Sequence, residues 1–403
     1  MKESLRAYLF TSFVGDLILP IYSLFIPLLA SESGATAAEV GIVGGASYVT
    51  YSFVPFLAGR YSDKIKVRHG FMLAALGVLS LMSLLYVFAA NPLQLIATRI
   101  GEGAGWAMLW PTVQAAIAED TQREPSKSLS IYNTIWSGAS AVGPLLGVGL
   151  IFFTQSIRTI FMLSVALLLA VIVVNLLLVK RRPNPTSKQT NRGTEPLHGN
   201  YLADGGGAPY RIWFYMLALA FVMAVRGVLF TFALPLAQST GVPVLLIGSV
   251  AVFFGASRFA TYVLTMRDEI RGWLMATRNI KRNVITGVII ASFGGVLPVI
   301  PDKSGATFLA SFIIVGVGAS MVTAISQTEM LRKDASRRGE MAGLQESSIG
   351  AGVALGPIVS GLASGGSLFV PFFFPISGIV VVLPTLLLGT RRRSTKQLRP
   401  TAT

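Results

Sequence analysis

The chain has 403 residues, 53% of them apolar and only 13% charged, and it contains no cysteine. Soluble domains carry about a quarter charged residues, so this composition excludes one, and it equally excludes disordered, collagenous and disulfide-stapled chains. The formal charge of +15, from 33 Lys and Arg against 18 Asp and Glu, would point to nucleic acid in a soluble protein; here the placement of the charges decides.

A hydrocarbon core about 30 Å thick takes about 20 apolar residues per helix. Apolar stretches at 7–30, 39–59, 70–90, 92–118, 128–153 and 157–179 predict six crossings, and 211–238, 244–266, 284–300, 305–331, 340–362 and 368–389 predict six more. The first holds Asp16 in Gly15-Asp16-Leu17-Ile18-Leu19-Pro20 and is too long for the apolar part of a cleaved leader. An intramembrane carboxylate is costly and serves either a proton relay or a polar clamp, with Arg226 as one partner it could reach. Between spans two and three runs Gly59-Arg60-Tyr61-Ser62-Asp63-Lys64-Ile65-Lys66-Val67-Arg68, in which Gly59 would permit a tight reversal and Asp63 could pair with helix amides or neighbouring cations.

Span four contains Arg99-Ile100-Gly101-Glu102-Gly103-Ala104-Gly105-Trp106. Arg99 and Glu102 are three apart on one helix face, so they can neutralise each other, either as a static pair or as part of a proton relay. Span five carries Gly143-Pro144-Leu145-Leu146-Gly147, and span eleven repeats the Gly356-Pro357 pair; proline kinks a helix and glycine admits a close neighbour. Residues 180–210, rich in Pro, Gly, Asn and charge, read as a water-exposed linker. Arg226 in span seven sits near mid-span and could face a cavity, Arg258 in span eight is expected to snorkel, and Glu346 in span eleven lies towards one end, where water would reach it. Tyr22, Trp106, Trp110, Tyr132, Trp136 and Phe230 offer aromatic surface near possible cavity positions.

With the N-terminus in the cytoplasm, 28 of the 33 Lys and Arg fall in inner segments, two (Arg158 and Lys303) in outer loops and three (Arg99, Arg226 and Arg258) inside spans. That asymmetry predicts an even number of crossings with both termini cytoplasmic, and it assigns the +15 to anionic lipid rather than nucleic acid. A shift of 213 residues superimposes Gly103 on Gly316, Gly105 on Gly318, Gly143 on Gly356 and Pro144 on Pro357. The expected organisation is therefore a parallel duplication: a half at 1–179, the linker 180–210, a second half at 211–390 and a basic tail at 391–403.

The loop at 59–68 resembles the signature loop of the major facilitator superfamily at Gly59, Asp63, Lys64 and Arg68, with Lys66 and Val67 departing from it. Span four is similar to the superfamily's R-x-x-q-G-x-g-a-a element through Arg99, Gly103, Gly105 and Ala107, with Glu102 for the usual glutamine. The Gly-Pro element of span five resembles that of its drug:proton antiporters. The resemblance implies an all-α membrane protein of twelve helices in two six-helix halves related by pseudo-two-fold symmetry, a monomer in the plasma membrane, working by alternating access. Proton coupling is expected through Asp16, Glu102 and Arg99, and a cavity among Tyr22, Trp106, Trp110, Trp136, Arg226, Phe230 and Glu346. The resemblance also implies a gating loop at 59–68 and helix kinks at Gly143, Pro144, Gly147, Gly356 and Pro357.

The expected function is proton-coupled efflux of small amphipathic organic compounds. Uptake of an organic anion or sugar with protons is the alternative, and a membrane-embedded sensor without turnover is an alternative of another class. No G-x-x-x-x-G-K-[ST] or H-E-x-x-H is present and the only histidines are His69 and His198, so no ATP site, metal, cofactor or catalytic centre is expected. The expected partners are the substrate, protons and membrane lipids.

Overall fold

The computed structural model describes residues 3–35, 37–65, 68–119, 125–179, 210–242, 244–300, 302, 304–333 and 338–388. The predicted linker and basic tail lie almost wholly outside these residues. Among them the regular structure is helical. The first six predicted spans appear as α1 (Glu3–Glu32), α2 (Ala37–Tyr51) with α3 (Val54–Ile65), α4 (Arg68–Phe88), α5 (Pro92–Glu119), α6 (Pro125–Thr154) and α7 (Arg158–Leu178). The second six appear as α8 (Ile212–Ser239), α9 (Val244–Thr265) with α10 (Asp268–Met275), α11 (Ile280–Val296), α12 (Ala306–Lys333), α13 (Arg338–Leu362) and α14 (Phe374–Leu387).

Nine of the described spans are long and apolar enough to cross a membrane, and α9 with α10 makes a tenth bent by 96°. The remaining two, α5 and α13, have 28 and 25 residues. At 1.5 Å per residue both are long enough for a bilayer. Each carries buried charge, Arg99 and Glu102 on α5 and Glu346 on α13. The charged side chains themselves are buried among other helices, where intramembrane charge is tolerated. Side chains such as Phe153, Leu177, Leu362 and Val381 are exposed, as an apolar solvent requires.

Two interruptions have local causes. Pro55 cannot donate to the Tyr51 carbonyl and disfavours helix at the residue before it, so span two breaks at Ser52 and Phe53, where short-range bonds to Val49 and Thr50 take over. Gly59 then falls inside α3 as a buried helical residue, which corrects the expectation that it forms the reversal. Beyond Thr265 the backbone turns extended at Arg267, and α10 runs across the end of α9 with Trp273 exposed and the Arg282 guanidinium 5.4 Å from its ring. Outside the spans, the Asp302 carboxylate caps α12 through the Thr307 amide at 3.0 Å. The Ser304 hydroxyl, then the Thr307 and Ser304 amides, hold that carboxyl down to about 2.

The two sets of six pack in one pattern. The contacts α1 with α6, α4 with α5, α2 with α5 and α4 with α7 recur as α8 with α13, α11 with α12, α9 with α12 and α11 with α14. The repeated glycines sit at these crossings. A Cβ on Gly103 would land on the Ser47 carbonyl of α2, and one on Gly316 would meet Ser257 and the Phe254 carbonyl of α9. Gly143 faces the Leu17 carbonyl of α1, and Gly356 faces the Ala224 carbonyl of α8. Packing between helices in lipid rests on such close backbone approach. Between the sets, α2 and α3 pack on α13 and α6 packs on α9.

Candidate functional site

A cavity lies between the two sets of helices, lined from α1, α2, α5 and α6 on one side and α8, α9, α12 and α13 on the other. Of the residues expected there, Trp106, Trp110, Trp136, Arg226, Phe230 and Glu346 line it, as does Asp16. Tyr22 does not. It is buried inside the first set, bonded to Ser83 Oγ at 2.6 Å and packed on Tyr86 and Phe161, a packing role rather than the cavity position expected of it.

Trp106 and Trp110 are four residues apart on α5, so their indoles stack one turn above the other, 5.5 Å between centroids and 4° from parallel. Trp136 on α6 donates from Nε1 to Asn133 Oδ1 at 2.8 Å, and Asn133 Nδ2 donates to Gln327 Oε1 of α12 at 2.7 Å, a bond between the two sets. A second such bond centres on Glu346: Tyr51 of α2 donates to its Oε2 at 2.7 Å and Gln114 of α5 to its Oε1. Glu346 is therefore only 6% exposed and bonded, which corrects the expectation that water reaches it. Tyr51, Gln114, Asn133 and Gln327 were missed in the sequence. The signal available was an amide or phenol inside an otherwise apolar span, which is costly unless satisfied.

Arg258 is also corrected. It does not snorkel. It is 4% exposed, lies 4.0 Å over the Trp136 ring and donates from one terminal nitrogen to the Tyr262 hydroxyl at 3.3 Å. Arg226, 8% exposed, sits 5.1 Å over Phe230 and 5.6 Å over Phe254. Such rings attract a guanidinium through their quadrupole without neutralising it. Among the described residues neither arginine has a carboxylate within ion-pair distance, and the Nε of each has no hydrogen-bond partner. Arg226 thus makes no ion pair with Asp16. The charges acting on Asp16 are those of Arg258, Glu346 and Arg226.

The pair in span four is different in kind. Glu102 receives Arg99 on both oxygens at 3.0 and 2.8 Å, Trp106 Nε1 at 2.9 Å and the Tyr86 hydroxyl. Arg99 also donates to the Val43 and Gly44 carbonyls of α2 at 3.2 Å each. The Glu102 carboxylate is saturated and lies outside the cavity lining, so its geometry is that of a clamp that fixes Trp106. Removing one partner of a buried pair costs about 3 to 5 kcal/mol. Glu102→Gln should therefore lower thermal stability markedly and loosen Trp106, read as a fall in melting temperature with altered tryptophan fluorescence.

Of the loop at 59–68, Lys64 is exposed and Arg68 half-buried at the start of α4; the side chain of Asp63 lies outside the described residues. Pro144 and Pro357 lie inside α6 and α13, and Gly147 faces Phe25 and Ile21 of α1. Among the described residues no group of His, Cys, Asp or Glu could hold a metal ion.

The sequence profile of the Major Facilitator Superfamily matches residues 8–333. An uncharacterized MFS-type transporter of Methanocaldococcus jannaschii is 23% identical over 180 residues, 45% of either chain. The gentisate transporter of Corynebacterium glutamicum is 28% identical over 140 residues, 34% of this chain and 30% of that one. The matched stretches thus span less than half the length of these relatives. Among solved structures, the nucleoside transporter NupG superimposes with a TM-score of 0.70 at 14% identity, covering 97% of this chain and 100% of that one. The human organic anion transporter MFSD10 does so with 0.69 at 13%, covering 95% and 99%. At such identity these two speak for the fold alone, and with the profile match they lead to one conclusion: this chain belongs to the major facilitator superfamily and is a multi-pass membrane transporter, not an enzyme.

Proposed function

We propose that this transporter moves a small organic anion with an aromatic body, coupled to protons, by alternating access. In this reading the halves 1–179 and 211–390 rock about the central cavity on the cytoplasmic linker 180–210, in the plasma membrane, with both termini and the basic tail 391–403 inside and the chain acting as a monomer. The observation that carries it is the pair Arg226 and Arg258, both buried in the cavity wall without a carboxylate partner. Buried charges are ordinarily paired, and a carboxylate ligand supplies what a planar guanidinium lacks. The stacked Trp106 and Trp110 and the ring of Trp136 offer flat faces to the rest of such a molecule, and the unpartnered carbonyl oxygens of Gln114 and Gln345 offer acceptors to its hydroxyls. The name of the gentisate transporter agrees with this choice.

Proton-coupled efflux of uncharged or cationic amphipathic compounds is the second reading, and it rests on the Gly-Pro elements of α6 and α13. Those elements occupy close helix crossings in both sets, so packing by itself explains them. Proteoliposomes given a pH gradient of either sign, with labelled benzoate or labelled tetraphenylphosphonium, separate the two. Benzoate flux that falls at least about tenfold in Arg226→Gln is expected, the loss of one charge-assisted contact. Flux of the cation alone would reinstate the efflux reading.

A further inference from the structure

Each set of helices interrupts one span at the same place, with different results. Span two breaks at Ser52 and Phe53, yet Gly41–Tyr61 still runs as one span and α3 packs along α13. The 213-residue shift carries that break to Thr265 and Met266. There α10 leaves the line of α9 by 96° and packs chiefly on α9 and α11. A helix turned so far from its span lies in the plane of the membrane interface. Its side chains suit that level: Leu274 is buried, Ile270 half-buried and Trp273 53% exposed. An exposed indole beside apolar spans belongs at the headgroup boundary.

The end of α10 is fixed on α11. Asn279 and Asn283, both buried, donate to the Trp273 and Leu274 carbonyls at 3.0 Å each, which satisfies acceptors that a helix end leaves open. Trp273 is thereby held beside Arg282, whose guanidinium lies 5.4 Å from its ring. From Arg282 the exposed face of α11 continues through Thr286, Ile289 and Phe293, spaced as one helical stripe. The corner thus joins an apolar strip, long enough for part of an acyl chain, to a ring and a cation at its end.

Basic residues at the end of a span ordinarily serve topology and face water. Of the five between 267 and 282, two are committed within the protein: Arg271 pairs with Asp268, and Lys281 donates to the Leu387 carbonyl of α14. Arg267 adjoins Asp268 and Glu269 of the first turn, at the other end of α10 from Trp273. Arg278 and Arg282 are exposed and, among the described residues, pair with no carboxylate. A guanidinium stacked on a ring keeps its edge N–H groups for a phosphate oxygen.

We propose that the corner of α10 and α11 binds the headgroup of an anionic phospholipid, its phosphate between Arg278 and Arg282 beside the Trp273 indole and one acyl chain along Ile289 and Phe293. Two cations without a carboxylate select a lipid of net negative charge over one whose own ammonium neutralises its phosphate. None of these residues lines the central cavity, so the site stands apart from the choice of substrate.

The test uses the full-length protein in phosphatidylcholine nanodiscs. Five tryptophans are present, so the signal of Trp273 is the difference between the unaltered protein and Trp273→Phe. The discs are doped with phosphatidylglycerol brominated on its acyl chains, or with phosphatidylcholine brominated in the same way. Brominated phosphatidylglycerol should quench Trp273 at about a fifth of the mole fraction that the other lipid needs, the effect of one cation near an anionic surface. Arg278→Gln with Arg282→Gln should abolish that preference. Arg6→Gln with Arg211→Gln, which removes two exposed arginines elsewhere, should leave it intact, and soluble glycerol 3-phosphate should not relieve the quenching.

Equal quenching by the two lipids overturns the proposal. So does a preference that survives the loss of Arg278 and Arg282, or one that falls as far with Arg6 and Arg211, the mark of diffuse surface charge. Relief by glycerol 3-phosphate would make the corner a site for soluble phosphates and overturn the lipid assignment. Should the double variant fail to fold, Arg278→Gln alone, at an exposed position outside α10 and α11, decides in the same way.

Discussion

In Asp16→Asn, a pH gradient should no longer accumulate substrate, while exchange of labelled for unlabelled substrate across the membrane should continue. Accumulation needs a group that carries a proton in one access state and gives it up in the other, whereas exchange needs only the cavity and the rocking motion. For one proton per anion the loss is the whole concentration ratio, about tenfold per unit of pH gradient. Glu102→Gln is a poor competitor for this role, because its carboxylate already receives four donor contacts from Arg99, Tyr86 and Trp106. Glu346→Gln is the informative comparison. Accumulation that survives in Asp16→Asn but disappears in Glu346→Gln would move the proton site to α13.

Gly143→Ala and Gly356→Ala should each deplete folded transporter, although each adds a single methyl group. The new Cβ would fall closer than 3.0 Å to a main-chain carbonyl, that of Leu17 in one case and of Ala224 in the other, and a carbonyl in a helix cannot rotate away as a side chain can. Overpacking of this kind costs about 1 to 3 kcal/mol and sometimes more. Because Leu17 adjoins Asp16, Gly143→Ala should also depress transport by the molecules that do fold. Gly149→Ala, where nothing lies within 4 Å, is the control on the same helix. Yield from size-exclusion chromatography and melting temperature check both, and a normal yield for Gly143→Ala would mean that α1 and α6 separate readily.

The spans were legible because lipid demands one thing of every exposed side chain, and the boundaries of α5, α6, α8 and α12 fall within three residues of those expected. Breaks within spans were less so. Pro55 was in plain view, yet the apolar run continues through it and conceals the end of α2. The Gly103 to Gly316 correspondence was legible as a repeat, but that these glycines meet α2 and α9 required the packing.

Charged residues were hardest to place, since depth along a helix says nothing of which face a side chain occupies. Arg258 and Glu346 were both assigned to water by depth, and both turn inwards, one onto Trp136 and the other onto Tyr51. Tyr22 erred the other way, an aromatic near the expected cavity whose hydroxyl is satisfied by Ser83 within its own half.

The tight glycines divide into two kinds. Gly103, Gly143, Gly318 and Gly356 meet backbone of their own half, whereas Gly343 meets Pro55 and Phe56, Gly350 meets Tyr51 and Ser52, and Gly255 meets Ala141, all across the seam. The second kind lies where α13 and α9 approach α2, α3 and α6. For an experimenter they form a set of wedges. On the alternating-access reading, a methyl group at Gly343 or Gly255 would bear on the seam between the halves and on no crossing inside a half, whereas one at Gly350 would also press on Tyr51, which holds Glu346. Stacked in pairs, such wedges offer a graded means of holding the opposite arrangement long enough for it to be imaged.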